Sequence, residues 1–228
     1  MKIIKYLLVN GTPISELSNG ARFDGVLEIP IIEKPSKIFI PNSLTPFSER
    51  EKASFSDSAV CFYEKDDNFM DFLINPASYL ENLRKFQAVI SPDCSMYRDT
   101  PLSLQIINLY YSRLLGSYYQ RKGIYIIPNI RWGSEDTYKS LNLPEKVAFS
   151  GVAKNSIVSI SSYGCIKDQE NRYYFEAGLA AMMETLIPKI VLVYGAMPSE
   201  IFGQYFNYAQ FVQYDNWIKA RHKNGGNY

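Results

Sequence analysis

Histidine is almost missing from this chain. The one histidine, His222, lies near the end. Its isolation excludes multi-histidine metal sites, and a histidine-dependent triad would require the tail to fold back. Cysteine is sparse as well. Cys61, Cys94 and Cys165 are odd in number and form no CxxC pair, which fits reduced thiols in a cytoplasmic protein. No apolar run approaches the roughly 20 residues that span a bilayer, so no membrane is expected as a partner. The opening "MKIIKYLLVNGTPISE" reads as a first strand, since Lys5 interrupts the apolar run and no small-residue cleavage site follows. A large charge of one sign is lacking too. The net charge of +1 argues against a protein that coats nucleic acid, although a local basic patch remains open. Neither GxxxxGK[ST] nor GxGxxG occurs, and no motif names a cofactor.

The residues that are present describe a folded protein. Apolar residues make up 46% of the 228, enough for a substantial core. The 18 tyrosines are spread through the expected helices instead of gathering on one strand, which favours core-rim packing over a stacking surface. Residues 1–58, punctuated by Pro13, Pro30, Pro35, Pro41 and Pro46, are expected to wrap the core irregularly, with "KIFI" as a strand. Residues 59–216 form the α/β core domain, and 217–228 a polar basic tail.

In that core, "AVCFY", "FQAVIS", "GIYIIPNIRW", "KVAFS", "SIVSISSYG", "KIVLVYG" and "FVQY" read as strands. One long helix is expected from Thr100 as N-cap and Pro101 at the first helical position to Gly123. Leu102, Ile106, Leu109 and Tyr110 form one apolar stripe, with Ile107, Tyr111, Leu114 and Tyr118 beside it. A second is expected over about 168–186, stopped by Pro188. Continuous apolar strands alternating with helices imply a mainly parallel sheet with helices on both faces, and a partial barrel would show the same alternation. Right-handed crossovers bring the strand-to-helix loops to one end, where such folds bind ligands.

Those loops hold the candidate residues. In "SPDCSMYRDTP", Asp93 and Asp99 are candidate catalytic carboxylates, while Ser91, Tyr97 and Arg98 are candidate ligand contacts. The helix start at Thr100 could offer backbone N–H groups to an anion. The alternative is that Asp93 satisfies its own loop and Arg98 pairs with Asp99 or a neighbouring loop. Asn129, Arg131 and Trp132 end the next strand, and Arg131 with Arg98 could face one anion. Ser161 and Tyr194 end two further strands.

The segments "VISPDCSMYRDTPLSLQIINLYYSRLLGSYYQRKGIYIIPNIRW", "GVAKNSIVSIS" and "LIPKIVLVYG" resemble a group of bacterial and phage proteins that carries a domain-of-unknown-function label. The resemblance runs from about Lys37 to Tyr214. It implies a phage or other mobile-element setting and a cytoplasmic protein. It also implies a large apolar residue where this chain has Cys94, which argues against catalysis by that thiol. The helix "YFEAGLAAMMETL" is similar to the one carrying the nucleophilic glutamate of nucleoside deoxyribosyltransferases and NAD-cleaving domains. That likeness implies ribosyl transfer through Glu176, with Asp168 upstream, although their glycine-rich phosphate segment is not evident. Arg172, four residues earlier, makes a helix-surface pair the simpler account of Glu176. Two function classes follow. One is an enzyme or binder of a nucleotide, nucleic acid or other phosphate-bearing ligand; the other is a non-catalytic protein acting on a host protein or DNA.

Overall fold

A computed structural model describes residues 17–52 and 57–216. The expected first strand, the basic tail and His222 lie outside these residues. In chain order the strands are β1 (Phe23–Asp24), β2 (Ile29–Pro30), β3 (Ser43–Pro46), β4 (Ser58–Cys61), β5 (Ala88–Ile90), β6 (Ile126–Ile127), β7 (Ile157–Ser161), β8 (Ile190–Tyr194) and β9 (Gln210–Tyr214). The α-helices are α1 (Met70–Ile74), α2 (Leu80–Leu83), α3 (Leu102–Arg121), α4 (Glu135–Tyr138), α5 (Gln169–Leu186) and α6 (Ser199–Phe202).

Strands β3 to β6 form one parallel sheet and β7 to β9 another, each in chain order. A parallel bridge between Asn129 and Ser159 joins them. There Ser159 N donates to Pro128 O at 2.9 Å and Ile130 N donates to Ser159 O at 2.7 Å. No pairing joins β3 to β9 among the described residues, so the sheet does not close into a barrel.

Strand alternation sorts the core. Val60, Val89 and Ile126 are register partners and pack with Leu114, Leu115 and Tyr118 of α3. Val158, Ile160, Val191 and Val193 pack with Phe175, Leu179 and Met182 of α5. Both long helices therefore cover the same face. The other face meets itself: Ala59, Cys61, Ala88, Ile90, Ile127, Ile157 and Leu192 form one cluster with no residue of α3 or α5 in it.

Several sequence expectations give way here. "KIFI" is not a strand; Ile38, Phe39 and Ile40 pack against that second cluster. The strand beside β4 is Ser43–Pro46, supplied by the expected wrap. "KVAFS" is a short 3-10 helix, Val147–Phe149, whose three residues are all buried. Thr100 does not cap α3. Its hydroxyl donates to Tyr97 O at 2.7 Å, and Pro101, extended at ψ 137°, takes the position before the helix. Ile107 is exposed, while 112–119 are buried on every side. Gly123, at φ +84°, ends that helix as expected.

Candidate functional site

Parallel strands bring the ends of β5, β6 and β7 together, and a cleft of about 300 Å³ opens there. Asp93, Tyr97, Arg98, Arg131, Trp132 and Ser161 all line it. The remaining candidates lie elsewhere. Ser91 and Asn129 are buried beneath the cleft, and Tyr194 is buried with its ring stacked on Tyr63, 4.9 Å between centroids. Asp99 is exposed. Glu176 accepts from Arg172 Nε at 2.6 Å on the same helix and is not part of the lining. Ribosyl transfer through Glu176 therefore has no support from this cleft.

Asp93 is the buried centre of the site. Asn129 Nδ2 donates to Oδ1 and Arg131 Nη1 to Oδ2, both at 2.7 Å. Burial pushes this carboxyl above its ordinary range, against the opposing pull of Arg131 and Asn129. The Asp93 charge in turn raises Arg131, whose side chain keeps 28% of its surface exposed. Hydrogen-bond roles propagate inward from Asp93. Because Asn129 uses its amide N–H here, its Oδ1 accepts from Tyr63 OH at 3.1 Å, and Tyr63 can then accept from Ser159 Oγ at 2.6 Å. Burial, then the nearby Asp93, pushes the Tyr63 phenol well up, so it remains protonated and able to donate.

The supports of this centre carry no motif. Arg113, fully buried in α3, donates to the carbonyls of Asn129 (2.7 Å), Ser150 (3.0 Å) and Ala148 (3.1 Å). Ser91 Oγ accepts from Asn129 N at 2.9 Å. Asp66 accepts from both Ser95 N (3.2 Å) and Ser95 Oγ (2.8 Å), fixing the loop that carries Asp93 and Arg98. The available signal for Arg113 is an arginine set among leucines and tyrosines in mid-helix, "YSRLLGSYY"; Tyr63 offers only its place at a strand end.

The walls come from Trp132 and the start of α5. Trp132 Nε1 donates to Tyr174 O at 3.2 Å, and its indole lies over Gly178, where an added Cβ would come within 2.2 Å of Nε1. The "EAG" of α5 is thus a seat for Trp132. Asp168 caps α5 by accepting from Asn171 N at 2.8 Å, so its helix start is already occupied. All three cysteines are free thiols. Burial pushes Cys94 and Cys61 far up, and raises Cys165 at the cleft edge despite the opposing pull of Arg131. No helix among the described residues is long and apolar enough to cross a membrane.

Two curated phage proteins are similar to this chain. The Gene 1 protein of Mycobacterium phage D29 is 29% identical over 162 residues, 70% of this chain and 57% of that protein. The Gene 1 protein of Mycobacterium phage L5 is 28% identical over 162 residues, 70% of this chain and 68% of that protein. The matched segment thus spans little more than half the length of the D29 protein. No solved structure matches. Residues 21–215 match the family described as Domain of unknown function (DUF4417), and the chain belongs to that family.

Proposed function

We propose that this phage-type protein binds a nucleotide, or the phosphate-bearing end of a nucleic acid, in the cleft at the strand ends. One observation carries the reading: two guanidinium groups, Arg98 and Arg131, and the rings of Tyr97, Tyr163 and Tyr174 border the same small space. Guanidinium groups suit phosphate, and exposed rings suit bases. Tyr97 and Tyr163 are 61% and 45% exposed, so both rings are open to a ligand. The three free thiols accord with a cytoplasmic setting.

Thermal melting tests this reading. Nucleoside phosphates and a short 5′-phosphorylated oligonucleotide are the two arms, separating a free nucleotide from a nucleic-acid end. A ligand at 100 times its Kd should add about 2.7 kcal/mol to stability. The double variant Asp93→Asn/Arg131→Gln removes both charges together, so neither is left buried alone. It should fold and lose the shift. Wild-type melting unmoved by every phosphate compound would overturn the reading.

A second reading is non-catalytic binding of a host protein or DNA. It is favoured by the pairing already present, Arg131 with Asp93 and Arg98 with Glu170. Capture of a phosphate-free partner by the wild type, lost on Tyr97→Ala/Tyr163→Ala, would support it.

A further inference from the structure

Arg98 lines the cleft, yet its hydrogen-bonding edge is already occupied. Nη1 donates to Glu170 Oε1 and Nη2 to Asn171 Oδ1, each at 3.1 Å. Asn171 is itself fixed, its N and Nδ2 donating to the two Asp168 oxygens at 2.8 and 2.6 Å. The guanidinium also rests against an aromatic ring, with Cζ over Tyr174 at 4.0 Å from the ring centroid. The group is therefore held along one edge and against one ring, with 31% of the side chain still exposed. To clamp a phosphate through its Nη groups, Arg98 would have to release Glu170 and Asn171. To receive a flat ring on its second face, it need release nothing. A guanidinium can bond in its plane and stack across it at the same time, which an ammonium cannot do.

We infer that Arg98, backed by Tyr174, is a stacking platform for a nucleobase, so that the cleft selects a base-bearing phosphate over a bare phosphate or sugar phosphate. The inference rests on the phosphate-binding reading above and adds to it which part of the ligand meets which residue. Stacking on arginine planes and aromatic rings is a general mode of base recognition. Arg131, whose Nη1 is committed to Asp93, is the remaining guanidinium for the phosphate. Arg98 and Arg131 are the cationic side chains of the lining, each with one carboxylate partner, Glu170 and Asp93.

Isothermal titration of the full chain tests it, with the four ribonucleoside 5′-monophosphates, ribose 5-phosphate and inorganic phosphate as probes. At least one nucleotide should bind the wild type tenfold or more tightly than ribose 5-phosphate. Arg98→Lys keeps the charge and loses the plane. It should weaken that nucleotide at least tenfold and leave ribose 5-phosphate within twofold. Tyr174→Leu, which removes the backing ring, should act in the same direction, and far-UV circular dichroism checks that both variants fold. Ribose 5-phosphate binding as tightly as every nucleotide, or Arg98→Lys binding nucleotide like the wild type, overturns the stacking role and leaves the phosphate site standing. Absence of binding by every probe overturns this inference and the free-nucleotide arm of the phosphate-binding reading with it.

Discussion

Arg113 shows how much of the site depends on a residue without a motif. A buried guanidinium with three carbonyl partners stays because its removal would leave three buried acceptors short of a donor. Arg113→Met should cost about 3 kcal/mol or more in urea denaturation. Arg22→Met, which breaks an exposed pair with Glu33, should cost at most about 1 kcal/mol. Equal costs would show that the three carbonyls find other partners. The same network makes Asp93 sensitive to pH. Its raised pKa means that the folded state keeps the proton over a window above the ordinary carboxylate range, where the unfolded chain has lost it. Across that window stability falls as pH rises. As pH rises above the ordinary carboxylate range, the melting temperature of the wild type should therefore decline relative to Asp93→Asn; parallel profiles would mean that Asp93 ionises normally. Asp93, Arg98 and Arg131 were legible because strand-end loops in this architecture are where polar residues converge. Tyr63, Asp66 and Arg113 were not, because each acts through a partner distant in sequence.

Helices α3 and α5 were legible as elements. Each is long, periodic and bounded by chemistry that stops a helix. The weak points were short elements whose type depends on tertiary pairing. Ser43–Pro46 contains a proline and little apolar character, yet it pairs in register with β4. "KIFI" has the better strand composition and goes unpaired, because its apolar side chains find the inner cluster without a ladder. The end of α5 carries a testable strain. Ile187 adopts a left-handed conformation at φ 46°, which a β-branched side chain disfavours, while its N–H closes the helix onto Met183 O. Ile187 is also exposed, so little packing offsets the cost. Ile187→Gly should stabilise the protein by about 1 kcal/mol, read as a higher melting temperature. A lower one would mean that the isoleucine makes contacts worth more than the strain.

At the scale of the molecule, seven parallel strands among the described residues lie side by side in chain order, and the first and last ends are tied by Tyr214 OH donating to Pro41 O at 2.5 Å. Tyr214→Phe keeps the ring and loses that bond. It should cost about 1 kcal/mol by thermal melting, and an unchanged melting temperature would show that the tie adds nothing. The parallel alternation was readable from the sequence, but the use of one face by both long helices was not, since apolar runs do not say which neighbour covers them. Strand order has a further consequence for synthesis. A chain leaving the ribosome from its amino end always presents its newest strand to the one just completed, so the sheet can lengthen at a single advancing border. No strand has to be inserted between two that have already met. An interruption of translation after any of these strands would leave a shorter sheet whose newest strand is unpaired on its outer side, not a sheet with a gap.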